Sequence, residues 1–400
     1  MLGISNSKKR LTLEALEPRL TMSSNSADLA AARGSTKLPY TYSVVGNTLD
    51  VGNTPASLAY ENSGLALVGG GTDVDEVFRW MGAKADGGDF LVIRATGTDA
   101  YNRYIDRLVP SLDSVATLII PSRTAALHAD VAQFIASAEA IFIAGGDQLD
   151  YFNYWNDTPV EAALYQAASR HIPIGGTSAG LAILGEVDFT SAAGTLTSSE
   201  ALANPLDNRI LQGLDTSFFS PEVVVSSASP TVLRYLDNVV TDSHFMQRDR
   251  MGRLVTFMAN ADSRDLVQDL PRGIGVNEQT ALLIEPDGLS KVVGNPYTDK
   301  KLSASQQQRS VYIAQGSISN PVLAANVPLS YAVDVVRASY DPIARQSDQF
   351  DLDDLYSSLN WEIVGLDNYR VIAASGSVMT FDAIGLLYGE IGVRRRNAAL

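Results

Sequence analysis

Ser178 stands in Gly176-Thr177-Ser178-Ala179-Gly180, a G-x-S-x-G run that follows the apolar stretch HIPI and precedes AGLAIL. A hydroxyl lifted out of a tight strand-to-helix turn needs small neighbours on both sides. The helix that starts beneath it offers N–H groups to a developing negative charge. The chemistry such a turn serves is nucleophilic attack on a carbonyl. A serine is weak at its free pKa and needs a base. The chain has three histidines: His171 at the start of the same predicted strand, His128 in a predicted helix near Asp130, and His244 in TDSHFMQRDR. His244, between Asp242 and a group of arginines, is the best base by environment; a surface histidine in a charged turn is the other reading. Gly145-Gly146-Asp147-Gln148 closes another apolar run, IFIA. Adjacent glycines let the main chain approach a ligand, and the N–H groups of Gly146 and Ala179 could form an oxyanion hole. A tight turn without a ligand would have the same sequence.

These groups can meet only if the elements that carry them converge. GLALV at 64–68 leads into Gly69, Gly70 and Gly71, and TDVDEVFRWMGAKA then predicts a helix with Val74, Val77, Phe78 and Met81 on one side. The alternation repeats: FLVI at 90–93, a helix over 101–109, VATLII at 115–120, a helix over 125–136, the run 140–143, a helix over 160–168, and the run 171–174 before the serine. Apolar strands without polar alternation, separated by amphipathic helices, predict a mostly parallel sheet with helices on both faces. Glycines gather after the runs that begin at Leu65, Ala140 and Ile172, and that edge is where open α/β sheets hold ligands. The triple glycine lacks G-x-G-x-x-G spacing and does not read as a dinucleotide site. After Leu184 the pattern loosens into short pieces. GIGVNEQTALLIEPDG predicts a strand pair with a turn at Asp287–Gly288, and 290–340 reads as sheet.

The 400 residues are 46% hydrophobic, enough for one large core with appendages. Lys and Arg number 30 against 45 for Asp and Glu, a formal net charge of −15 that disfavours nucleic acid and favours cationic partners. Cysteine is absent, which excludes disulfides and thiolate chemistry, and the scattered histidines give no metal-ligand pattern. No apolar run reaches the ~18 residues of a membrane span. Residues 1–36 read as a flexible leader: SNSKKR, then LTLEALEPRL with Glu14 and Glu17 where a signal peptide stays apolar, then Ser, Ala and Asn. The leader resembles the LEPR-containing segment of many exported proteins of planctomycetes and related bacteria. Export to the periplasm or beyond is the expectation, with a cytoplasmic location the alternative. Residues 37–345 read as a catalytic α/β domain and 346–400 as an appended β-rich segment.

GGGTDVDEVFRW, FIAGGDQ, GGTSAG, TSSEALANP, TDSHFMQRDRMGRL and GIGVNEQTA occur in the order found in cyanophycinases and cyanophycinase-like proteins. From about Leu65 to Glu285 the chain resembles that serine-peptidase family, which also contains the aspartyl dipeptidase peptidase E. The resemblance implies a flavodoxin-like α/β fold related to class I glutamine amidotransferase domains, a Ser-His-Glu arrangement, a homodimer, and no cofactor. The family's nucleophile falls on Ser178 and its base on His244. Its acid falls on Glu200 in SSEALANP, with Glu278 in GVNEQTA the second choice. Gln148 matches the glutamine after the double glycine, and the substrate-site Asp and Arg residues fall on Asp242, Arg248, Arg250 and Arg253. The implied substrate is cyanophycin, a poly-aspartate carrying arginine on its side chains, cut to β-Asp-Arg dipeptides. A peptidase for other acidic or β-aspartyl peptides and a non-catalytic binding homologue are the alternatives. Where cyanophycin-degrading members place Gln before the catalytic histidine, this chain has Ser243.

Overall fold

The short apolar runs become strands buried on both faces: Leu65–Val68, Phe90–Ile93 and Ala140–Ile143 are each no more than 2% exposed. A computed structural model describes residues 37–47, 49, 57–218, 231–296, 309–316, 321–342 and 344–355, with the backbone of three further strands between 362 and 380. The expected leader and the chain end beyond 380 lie outside the described residues. The unit Pro39–Leu400 holds two large sheets.

The first six strands are β1 (Thr41–Gly46), β2 (Leu65–Val68), β3 (Asp89–Arg94), β4 (Ser114–Ile119), β5 (Ala140–Ile143) and β6 (Ile174–Thr177). Further along come β7 (Asp188–Phe189), β8 (Leu214–Asp215), β9 (Val239–Asp242), β10 (Arg272–Val276), β11 (Thr280–Ile284) and β12 (Leu289–Gly294). They are followed by β13 (Arg309–Gly316), β14 (Val322–Ala324), β15 (Val327–Asp341), β16 (Gln346–Ser347), β17 (Gln349–Asp351), β18 (Glu362–Asp367), β19 (Arg370–Ala373) and β20 (Val378–Thr380). The first sheet runs β1-β4-β3-β5-β6-β2-β11-β12-β17. Its centre, β4-β3-β5-β6-β2, is parallel, and the strands outside it pair antiparallel. The sheet is therefore mixed, with its parallel part confined to the strands that alternate with helices.

Those helices are α1 (Asp75–Lys84), α2 (Ala100–Leu108), α3 (Arg123–Ala126), α4 (Ala129–Ala136), α5 (Gln148–Trp155) and α6 (Pro159–Ser169). On one face Phe78 of α1 meets Phe142 of β5 edge-on at 4.9 Å, and on the other Tyr151 and Trp155 of α5 stack at 4.4 Å. The single helix expected over 125–136 is two, because His128 is extended (φ −76°, ψ 131°) and its ring nitrogen accepts from Asp130 N to cap α4. The run at 171–174 starts its strand late: His171 turns at φ 65°, and Ile174 opens β6.

The second sheet runs β20-β19-β18-β15-β13-β10-β9, with β14 and β16 paired to β15. The strand pair expected within GIGVNEQTALLI does not form. Its two runs are β10 of the second sheet and β11 of the first, so the residues between them bridge the sheets, and the Asp287–Gly288 turn joins β11 to β12. The segment after 346 extends both sheets, β17 pairing with β12 and β18 with β15. Over the second sheet lies α10 (Met251–Ser263), whose Leu254, Phe257 and Met258 are wholly buried. Between the sheets in sequence come α7 (Ala179–Ala182), α8 (Ser198–Ala203) and α9 (Asn208–Gly213), with β7 and β8 as a two-residue ribbon.

Candidate active site

β6 ends in the turn that carries Ser178, whose backbone sits at φ 54°, ψ −111°. A non-glycine residue held there is strained by about 1–3 kcal/mol. The flanking glycines are steric necessities: a Cβ at Gly176 would run into the Gly180 carbonyl, and one at Gly180 into the Ile143 carbonyl. Ser178 Oγ lies 2.7 Å from His244 Nε2, and His244 Nδ1 lies 2.6 Å from Glu278 Oε1. With the imidazole neutral, this network assigns the proton to Nδ1, which donates to the carboxylate while Nε2 accepts from the serine hydroxyl. The hydrogen bond from His244 holds the Glu278 carboxyl below the usual carboxylate range, against the upward push of its partial burial.

His244 and Glu278 arrive from neighbouring strands of the second sheet. β9 and β10 run parallel, with Asp242 level with Gly275, and each residue stands two positions past the end of its strand. The end of β2 ties both to the nucleophile. Three successive carbonyls accept backbone N–H groups: Val68 from Ser178 (3.1 Å), Gly69 from His244 (2.7 Å) and Gly70 from Gln279 (2.8 Å). Gly70, at φ +89°, is the bed of the imidazole, since a Cβ there would come 2.5 Å from Cε1. The triple glycine therefore serves close approach between protein segments. The remaining histidines are committed elsewhere: His171 Nδ1 meets Leu58 O at 3.0 Å, and His128 caps α4.

The structure corrects the placement of Glu200. Its Oε2 accepts from Thr197 N and Oγ1, forming the capping box of α8, and its Oε1 pairs with Arg209 Nη1 at 3.0 Å. It does not touch His244. The physical reason is local: T-S-S-E is a helix start, and the box consumes the carboxylate.

A cavity of about 580 Å³ is lined by Gly146, Gln148, Glu200, Arg209, Arg248 and Arg250, among others. Gly145 precedes the lining residue Gly146 and faces the elbow: a Cβ added there would come 3.4 Å from Ser178 Cβ. Gln148 starts α5 and its Nε2 donates to Ser191 Oγ at 3.1 Å. Ala179 opens α7, so its N–H has no carbonyl to meet within the helix. The three arginines expected at the substrate divide in two. Arg253 donates to both oxygens of Asp242 at 2.7 Å, and Arg250 reaches Oδ1 at 2.9 Å. Burial pushes the Asp242 carboxyl up, and Arg253 and Arg250 overcome it, holding it below the usual range. Burial pulls Arg250 down to about 10. Arg248 is exposed, and among the described residues its guanidinium has no hydrogen-bonding partner. Asn277 and Gln247, which the sequence reading passed over, link the loops of the base and the acid (Met246 N to Asn277 Oδ1, 3.1 Å; Glu278 N to Gln247 Oε1, 2.9 Å). Their signal in the sequence was only proximity to His244 and Glu278.

The mixed α/β architecture and the Ser-His-Glu geometry are what a hydrolase would carry. Residues 94–292, which include all three side chains, match the sequence profile of peptidase family S51. The span is just under half the chain, and the likeness is a distant one. A cyanophycinase of Synechococcus elongatus is 28% identical over 181 residues, 45% of this chain and 47% of that protein. One from Trichormus variabilis is 27% identical over 183 residues, 46% of this chain and 51% of that protein. The chain spans about half the length of the curated relatives it matches. Among solved structures, a peptidase from an acI-B1 Actinobacterium gives a TM-score of 0.39 at 17% identity, over 63% of this chain and 90% of that one.

Proposed function

We propose that this chain is a serine-type peptidase that cuts the aspartyl backbone of cyanophycin to β-Asp-Arg dipeptides. The observation that carries the hydrolytic part is the continuous relay from Ser178 Oγ through His244 to Glu278, with both contacts at hydrogen-bonding distance. His244 Nε2 takes the hydroxyl proton as Oγ attacks the amide carbon. The N–H groups of Gly146 and Ala179 hold the oxyanion. The imidazolium gives its proton to the leaving nitrogen, the C–N bond breaks, and an acyl-serine remains. Water then loses a proton to Nε2 as it attacks the ester; the imidazolium returns that proton to Oγ as the acyl C–Oγ bond breaks, releasing the acid and restoring Ser178. Glu278 stays ionised throughout, fixing the tautomer and supporting the positive ring.

The uncommitted guanidinium of Arg248 on the cavity wall favours a substrate bearing a carboxylate there, and the curated relatives named cyanophycinase favour the polymer. The same reading takes the fold as flavodoxin-like, of the glutamine amidotransferase kind, and the working protein as an exported homodimer. A second reading, a peptidase for plain acidic or β-aspartyl peptides, draws on Ser243, which is 3% exposed, is not among the residues lining the cavity, and stands where cyanophycin-degrading members have glutamine. Mass spectrometry of products from cyanophycin and from a panel of α- and β-aspartyl peptides distinguishes the two. Failure of a fluorophosphonate to label Ser178 would end both and leave a binding protein.

A further inference from the structure

The parallel ladder of β9 and β10 stops short of the groups that do the chemistry. Its last backbone contact is Phe245 N to Val276 O at 3.1 Å. Beyond it, side chains take over in a reciprocal pair: the base loop gives Met246 N to Asn277 Oδ1, and the acid loop gives Glu278 N to Gln247 Oε1 at 2.9 Å. The first partner, Asn277, is fully buried and locked. The second is a half-buried side chain on the turn that follows His244. Glu278 needs such a tether. Its side chain is 29% exposed, so packing alone does not fix the carboxylate. The residues on either side are anchored by backbone, Asn277 N to Ser310 O and Gln279 N to Gly70 O, and the N–H of Glu278 itself is held by Gln247.

We infer that Gln247 is a positioning residue for the triad acid: by accepting from Glu278 N it sets the 2.6 Å contact between Glu278 Oε1 and His244 Nδ1. Gln247 is three residues from the base in sequence and is not among the residues that line the cavity, so its route to the reaction is through Glu278 N. This rests on the serine-peptidase reading.

The test uses the full chain. Gln247→Met keeps the length of the side chain and removes the acceptor; Gln247→Glu keeps an acceptor oxygen. Steady-state kinetics on an aspartyl peptide are paired with the downfield proton resonance of His244 Nδ1–H in histidine-labelled protein. For Gln247→Met, kcat should fall about five- to tenfold, the factor one hydrogen bond carries, with KM within about twofold. The resonance should broaden or vanish. Gln247→Glu should return kcat to within about twofold of the parent and restore the resonance. A Met variant that keeps the resonance and its kcat overturns the inference. So does one whose loss follows its melting temperature and is not restored by Glu. A parent that shows the resonance but resists the phosphonate refutes the peptidase reading and leaves the positioning test standing.

Discussion

Exchanging the two glutamates separates the chemical carboxylate from the architectural one. In Glu278→Gln the amide can still meet His244 Nδ1, but the charge that supports the imidazolium is gone. Charge centres roughly 4 Å apart, at an effective dielectric of about 20, interact by ~4 kcal/mol, about 10³ in rate. The wrong tautomer, with the amide donating to Nδ1, adds to this, and removing the acid of a serine triad costs about 10⁴ in kcat. Turnover in Glu278→Gln should therefore fall about 10³–10⁴-fold, with KM little changed because the carboxylate binds no substrate. Glu200→Gln removes instead a half-exposed cap and a surface pair with Arg209. Its effect should be a stability loss of about 0.5–2 kcal/mol and a kcat within about tenfold of the parent. The assay is kcat and KM on whichever aspartyl substrate the wild type cleaves, with thermal melts of each variant. A Glu200→Gln that loses three decades while Glu278→Gln keeps its rate would refute the reasoning.

Ser178→Gly should abolish phosphonate labelling and raise stability by about 1 kcal/mol net, since glycine relieves the strained turn at some entropic cost; a lower melting temperature would contradict the strain argument. Arg248→Ala should raise KM for carboxylate-bearing substrates with little change in melting, whereas Arg250→Glu, which breaks the buried Asp242 pair, should cost about 3–5 kcal/mol; equal melting temperatures would sink this division. Burial raises Glu161 from 4.5 to about 7, so the folded state keeps a proton that the unfolded chain releases across that window, and stability falls as pH rises through it. Thermal melts from about pH 5 to 8 should show this loss, on the order of 3 kcal/mol, and Glu161→Gln should flatten it; a parallel slope in the variant would rule it out.

The elbow was legible because everything it needs is local: small residues around Ser178, a strand before it and a helix after. The base was legible from the charged residues around His244. The acid was not, and chain order misled, because Glu200 lies between nucleophile and base in sequence yet spends its carboxylate on its own helix start. What selects Glu278 is a pairing between strands more than thirty residues apart, β9 beside β10. In the structure His244 and Glu278 each stand two residues past the end of their strand, so the neighbouring parallel strands present the two side chains together. The arginines were legible only in part: all three line the cavity, as a substrate site would need. Their cluster looks like a substrate site in one dimension, but two of them turn inward to neutralise Asp242.

Placing the nucleophile on one sheet and the base and acid on another poses a problem of alignment, since small shifts between sheets would break both contacts. The end of β2 resolves it. Val68, Gly69 and Gly70 present consecutive carbonyls to Ser178, His244 and Gln279, so the three segments are referenced to one stretch of backbone. Backbone can approach backbone this closely only without a Cβ. At Gly69 one would strike Asn277 O, and at Gly70 the imidazole itself. These glycines are thus the common ruler of the site, and the bridge from β10 to β11 carries the acid across the same point. A fold that joins its two sheets at the catalytic residues makes their geometry depend on the seam between the sheets. Substitutions that loosen that seam should then reach activity before they reach global stability.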